Sequence, residues 1–238
     1  MKKILSSILL AVLTAGALLA QNYRSSDAAP YQPRDTWPYI YADFTSGVIR
    51  TTNNASTTEG TFNVSLIDGS LHYILNGTIM KLDMASVLTA KIGEELYVNI
   101  GNKMYRVLVE KENGWLLQYE QVDMEEMNKA SIGYGISSST ASTQNVSTLL
   151  EGSSDMVNML LENAISAKAN GRVLPIAKSH HIYCGGYLVA AARSSIREYP
   201  LIDKKEADAF LKSHKIKWNK PESLEQLIDF VASQINKK

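Results

Sequence analysis

The stretch TFNVSLIDGSLHYILNGTIMKL (residues 61–82) holds the strongest structural signal in the chain. Two turn signals, Asp68-Gly69 and Asn76-Gly77, divide it into three short runs rich in aliphatic, aromatic and β-branched residues, the pattern of consecutive hairpins. A tight hairpin fixes which residues oppose each other, and opposed residues share one side of the sheet. Taken as a two-residue turn, Asp68-Gly69 places Phe62, Val64 and Leu66 on one face with Leu71, Tyr73 and Leu75. Asn63, Ser65, Ser70 and His72 take the other face, with Ile67 and Ile74 as apolar exceptions there. Asn76-Gly77 then adds Thr78, Met80 and Leu82 to the apolar side, so three strands agree.

The same logic extends downstream. Gly101-Asn102 joins Leu96, Val98 and Ile100 to Tyr105, Val107 and Val109, while Tyr97, Asn99, Arg106 and Glu110 face away. At Asn113-Gly114 a two-residue loop opposes Val107 and Val109 to Glu120 and Gln118, a poor match. A three-residue loop over 112–114, with Gly114 in a left-handed bulge position, opposes them to Tyr119 and Leu117 and is the expectation adopted. Gly93-Glu94 marks a less regular turn, because Thr89 and Lys91 would join the apolar side. The echo between IGEELY (92–97) and IGNKMY (100–105) is the period of a hairpin and implies no solenoid.

These strands predict an α+β chain in which residues 37–122 form an antiparallel β-meander or roll with one buried face. Residues 123–154, rich in Ser, Thr and Gly, read as a linker. The region 155–238 reads as mixed α/β ending in two helices. Met156, Leu160, Leu161 and Ile165 recur at helical spacing up to Asn170-Gly171. Short strands follow near 172–177 and 181–190, turning at Lys178-Ser179 or Gly185-Gly186. A helix over 191–199 stops before Pro200. Asp203 caps the next, which runs to Ser213 and offers Ala207, Phe210 and Leu211 to a core. The last begins at Pro221 and carries Leu224, Leu227, Ile228, Val231 and Ile235 along one stripe.

The chain opens MKKILSSILLAVLTAGALLAQ, two lysines before an uncharged apolar run over residues 4–20, which is the pattern of a secretory signal peptide. Cleavage after Ala20 removes the run; Ala15-Gly16-Ala17 offers an alternative cut. The apolar run falls short of the ~20 residues that cross a bilayer, so the mature chain is expected to have no transmembrane segment. Residues 21–36, with Pro30 and Pro33, read as an exposed tether. The expected location is the periplasm or the cell surface. The full chain has 24 basic and 24 acidic residues, and loss of Lys2 and Lys3 leaves the acids in slight excess. Such a balance gives no long-range pull towards nucleic acid or an anionic membrane, and argues against nucleic acid as a partner. The single Cys184 cannot form an intramolecular disulfide, so stability must come from packing.

Candidate chemistry is sparse. KSHHIYCGGYLV (178–189) gathers His180, His181 and Cys184. A zinc site needs three or four converging ligands, and the only other histidines are His72 and His214. Strand alternation puts Ile182 and Cys184 on one side and His181 and Tyr183 on the other, so the histidine and the thiol diverge. Cys184 therefore reads as a small buried hydrophobe; a cysteine nucleophile would need a base and an orienting group from elsewhere in the fold. Glu94-Glu95 and Glu125-Glu126 read as solvated surface rather than the opposed pair of a glycosidase. The Asn-x-Ser/Thr triplets at Asn54, Asn63, Asn76 and Asn145 carry little information. Lys215, Lys217 and Lys220 surround Trp218 in a small basic and aromatic patch that a helix connector also explains. Tyr97 and Arg106, on the polar side of their hairpin, are the candidate binding residues; the competing reading is that another segment covers them and makes them core. No catalytic residue, metal site or cofactor is expected.

WPYIYADFTSGVIR (37–50), the hairpins over 58–83 and 87–120, and YLVAAARSSIREYPLIDKKEADAFLKSHKIKWNKPESLEQLIDFV (187–231) together resemble uncharacterised secreted proteins of anaerobic Gram-negative bacteria. The shared features are an aromatic lead, a Phe-Thr-x-Gly strand opening and an Ile-Gly turn. The resemblance implies export and a β-then-α order, and carries over no catalytic residue. The expected function is that of an exported, non-enzymatic binding or envelope-associated protein whose partner is a protein or a glycan. The alternative is an exported hydrolase using Cys184.

Overall fold

A computed structural model of the chain describes residues 29–30, 39–52, 57–123, 126 and 175–237. The predicted signal peptide, most of the predicted tether, nearly all of the predicted linker and the helix predicted from Asp155 lie outside the described residues. The fold is broadly α+β and mostly β, an antiparallel sheet followed by short helices. The strands are β1 (Ala29–Pro30), β2 (Thr45–Thr51), β3 (Thr57–Val64), β4 (Leu71–Leu75), β5 (Thr78–Lys81), β6 (Val87–Ile92), β7 (Glu95–Ile100), β8 (Lys103–Lys111), β9 (Gly114–Val122), β10 (Ile176–Cys184) and β11 (Tyr187–Ala190). The helices are α1 (Arg193–Glu198), α2 (Lys204–Ser213), α3 (Pro221–Leu224) and α4 (Gln226–Ile235). No helix among the described residues is long and apolar enough to cross a membrane. The chain divides into two compact units: residues 1–94, 99–104 and 121–176 form the first, and residues 95–98, 105–120 and 177–238 the second.

In the first unit the strands run β1-β5-β4-β3-β2-β6. The Asn76-Gly77 turn is as predicted: Leu75 opposes Thr78 and Tyr73 opposes Met80, and both turn residues have positive φ, 51° and 75°, as a type I′ hairpin requires. The Asp68-Gly69 connection is longer than the two-residue turn expected. Phe62 opposes Tyr73 and Val64 opposes Leu71, and Ser65 N–H donates to the Ser70 carbonyl at 2.9 Å, so residues 66–69 form the loop. The register moves by two residues, a whole pleat, and the face assignments survive. Phe62, Val64, Leu71, Tyr73, Met80 and Leu82 are all buried.

The sheet of this unit buries residues on both faces, not on one as expected. Asn63, Ser65 and Ser70, on the opposite side, are buried as well. Residues 39–44 lie over them: Tyr39 bridges to Ser65, Ile40 N–H donates to the Val64 carbonyl at 3.1 Å, and Tyr39, Phe44 and Ile79 share an apolar cluster with Ile74. Asn63 makes this cover possible. Its Oδ1 accepts from Tyr41 N–H and from Val64 N–H, each at 3.0 Å, and its Nδ2 donates to the carbonyls of Tyr41 and Asp43 at 2.9 and 3.2 Å. The carboxamide thereby uses both donors and both acceptor positions. The Phe-Thr-x-Gly opening also finds its reason in this unit. Gly47 opposes Gly60, and a Cβ at Gly47 would stand 2.5 Å from the Lys91 carbonyl oxygen and 3.2 Å from the Phe62 ring.

In the second unit the order is β7-β8-β9-β10-β11. The three-residue loop expected over 112–114 is not what forms. Lys111 opposes Gly114 across a two-residue turn, and the register shifts at Leu108 between Val107, which opposes Leu117, and Val109, which opposes Leu116. The bulge turns Val109 to the face of Leu116 and of Arg106, which opposes Gln118. β10 and β11 are one continuous hairpin turning at Gly185-Gly186, with Cys184 opposite Tyr187, which settles between the two turns considered. α2 begins as predicted: the Asp203 carboxylate accepts from Lys205 N–H at 2.8 Å and Glu206 N–H at 2.9 Å. Leu224, Leu227, Ile228, Val231 and Ile235 are buried with Leu116, Ile182, Cys184 and Val189 in one core cluster, against which Phe210 and Leu211 also pack. Gly114 permits this approach, since a Cβ there would lie 3.0 Å from Cys184 Cβ and 3.2 Å from the Ile228 side chain.

Replacing Asn63 with Ala should remove the hydrogen bonds its carboxamide makes to the Tyr41 amide and to the Tyr41 and Asp43 carbonyls, at a cost of about 3 kcal/mol. Urea unfolding followed by near-ultraviolet circular dichroism measures the loss, and hydrogen exchange at Tyr41 should accelerate in the variant.

Candidate functional site

Polar side chains gather in three groups. The first is the histidine and cysteine stretch, which β10 separates. Cys184 and Ile182 are buried in the helix-covered core of the second unit. His181 points to the other side, where its ring meets Tyr105 edge-on at 5.3 Å and its Nε2 lies 3.0 Å from Ser179 Oγ. Tyr183, on that same side, packs against Trp115. Burial pushes the Cys184 thiol up from its ordinary value, opposite to what a thiolate nucleophile needs. Burial and the adjacent His180 push the His181 imidazole down.

The second group, in the first unit, is a continuous chain that the sequence reading did not assemble. Tyr39 OH lies 2.9 Å from His72 Nδ1, and His72 Nε2 lies 2.9 Å from Ser70 Oγ. Ser70 O–H donates to Asp68 Oδ1 at 2.7 Å, and Lys81 Nζ closes the chain on Asp68 Oδ2 at 2.8 Å. All of these bonds are satisfied together when His72 carries its proton on Nε2 and Tyr39 donates to Nδ1. In that arrangement the serine proton points to the carboxylate and the imidazole donates to the serine oxygen, so the histidine is not placed to withdraw the serine proton. Ser70 is also 2% exposed, which keeps a substrate away from it. The chain is a structural tie for the cover over β3, β4 and β5. Burial alone would raise the Asp68 carboxyl, but His72, Lys81 and Ser70 outweigh it and hold the group far below the usual carboxylate range. Burial, reinforced by Asp68, pushes the Tyr39 phenol up. The signal missed in the sequence is the spacing of Asp68, Ser70 and His72, two residues apart along one side; Tyr39, 33 residues from His72, leaves no such signal.

The third group surrounds Arg106 in the second unit. Arg106 Nη2 donates to Gln118 Oε1 at 2.7 Å, lies 4.0 Å from Glu120 Oε1, and Nη1 is 3.4 Å from Glu95 Oε1. Gln118 Nε2 donates to Glu120 Oε1 at 2.8 Å, and Lys178 Nζ stands 3.3 Å from Glu120 Oε2. Burial, the Arg106 charge and Lys178 hold the His180 imidazole below its ordinary value against the pull of Glu120. Four strands thus contribute two cations, two carboxylates, a carboxamide and an imidazole. The Arg106 side chain is 29% exposed and that of Glu95 43%, so this constellation meets solvent. Arg106 Nε is buried and has no hydrogen-bond partner, an arrangement that costs about 1–3 kcal/mol. Tyr97, named with Arg106 from the sequence, is 1% exposed and belongs to the interior. Gln118 and Glu120 join Arg106 through the bulge at Leu108, and Lys178 and His180 join through the tertiary placement of β10. Among the described residues no cluster of three or more His, Cys, Asp or Glu is arranged to hold a metal ion.

The Asp68 carboxyl is depressed in the folded state, so it contributes stability above its unfolded value of ~4, lost as pH falls towards the folded value. Asp68→Asn should cost about 2 kcal/mol at pH 7, and urea titrations at descending pH should show the difference from wild type shrinking. Comparison of the chain with protein-family models, with curated proteins and with solved structures finds no match.

Proposed function

We propose that this is an exported, non-enzymatic binding or envelope-associated protein, and that the Arg106 constellation is its recognition surface. The sequence supports export through its leader and through its resemblance to secreted bacterial proteins. The observation that carries the binding reading is the Arg106 group itself, an array of paired donors and acceptors on strands that meets solvent through Arg106 and Glu95, whose side chains are 29% and 43% exposed. Its two cations and two carboxylates balance. A balanced array suits a polar ligand of no net charge whose groups both donate and accept, and a glycan hydroxyl does both. Of the partners considered, a neutral glycan fits this chemistry better than a charged protein surface.

The hydrolase reading retains Cys184 as its nucleophile and has against it a raised thiol and a histidine neighbour on the opposite face. An array of neutral oligosaccharides, probed with wild type, Arg106→Ala and Glu120→Gln, separates the two. Binding to at least one glycan class, weakened about tenfold or more in both variants while circular dichroism is unchanged, is the expected result; tenfold corresponds to about 1.4 kcal/mol. A wild type that binds no glycan but shows peptidase or esterase turnover abolished by Cys184→Ala would replace this reading with the hydrolase.

A further inference from the structure

The segment 212–220 carries Lys212, Lys215, Lys217 and Lys220, and no acid occurs from Ala209 to Pro221. All four lysines are exposed, and none makes an ion pair among the described residues. Residues between α2 and α3 alternate: Ile216 and Trp218 turn inward and pack against the core cluster, while Lys215 and Lys217 turn out. His214, Phe210 and Phe230 stack beneath, with centroids 4.1 and 4.3 Å apart. The lysines therefore stand on a firmly packed base rather than on a loose loop.

The acids that could neutralise them are occupied. Asp208 pairs with Arg197, Glu206 with Lys237, and Glu225 and Asp229 both pair with Lys111. Glu222, in the first turn of α3, is the flanking acid. In a chain whose total charge balances, this leaves a local cationic strip beside a half-buried tryptophan.

We infer that the strip of Lys212, Lys215, Lys217 and Lys220 is a docking surface for an anionic phospholipid bilayer. Charge complementarity selects the partner, each exposed lysine attracting the anionic headgroup layer, while Trp218, packed inward, holds the strip on the core. The protein would lie on the membrane by this face without spanning it. This surface is separate from the Arg106 constellation and does not depend on it.

The test uses the full chain, wild type against a quadruple variant with Lys212→Gln, Lys215→Gln, Lys217→Gln and Lys220→Gln. Both are co-sedimented with phosphatidylglycerol–phosphatidylcholine vesicles or with phosphatidylcholine alone, at low and high salt. The apolar run over 4–20 is identical in both proteins, so its contribution is read on the neutral vesicles. The gain in partition from neutral to anionic vesicles is expected to fall at least about tenfold in the variant, from a contribution of about fivefold per lysine, and to collapse at high salt in the wild type. Arg106→Ala should behave as wild type, so failure of the glycan reading and failure of this one are distinguishable. Equal gains in wild type and quadruple variant would overturn the inference. So would wild type binding soluble heparin more tightly than anionic vesicles, which would make a polyanionic chain the occupant.

Discussion

A sheet that buries both faces must find hydrogen-bond partners for whatever polar groups its second face carries, and in the first unit Asn63 meets that demand. Its side chain is wholly buried, and an amide without partners there would cost more than the contact it makes. Instead it completes the backbone of residues 41–43, acting as a fragment of additional strand. With Asn63 in place, Tyr39 and Phe44 can reach Ile79, and Tyr39 can anchor the chain of hydrogen bonds through His72 and Ser70 to Asp68. Each later contact presupposes the first.

The second unit solves a similar problem with helices. Val231, Ile228 and Leu224 present an apolar stripe to Leu116, Ile182 and Cys184, and close approach is open because Gly114 has no Cβ to obstruct it. Where that apolar contact ends, the same strands present Arg106, Gln118, Glu120 and Lys178. The recognition surface proposed here is thus the continuation of a core face past its cover. This placement explains why a charged cluster sits on well-ordered strands rather than on a loop, and rigid strands hold donors and acceptors in fixed relation more economically than loops do.

The conspicuous residues of the chain end in less reactive places than their types suggest. A lone cysteine beside two histidines invites a metal or a nucleophile, yet strand alternation sends the thiol and the His181 ring to opposite faces, and burial makes the thiol harder to ionise. A serine within reach of a histidine and an aspartate invites a hydrolase. There the bonds run from tyrosine to histidine to serine to carboxylate, so the serine is a link and not an attacking group. In both cases the order of contacts matters more than the list of residues.

Much of this could be read from sequence because period two and tight turns are local. Asn76-Gly77 fixed its hairpin, Asp203 fixed the start of α2, and the divergence of His181 from Cys184 followed from alternation alone. Even the misjudged loop at 66–69 kept its faces, since a slip of two residues preserves sidedness. Other features depended on residues far apart in the chain. Nothing local says that residues 39–44 will cover the second face, that Leu108 will bulge so that Gln118 meets Arg106, or that β10 will bring Lys178 to Glu120. Local geometry sets which way a side chain points; what it meets there is set by packing between distant segments, whose energies depend on neighbours no short window contains.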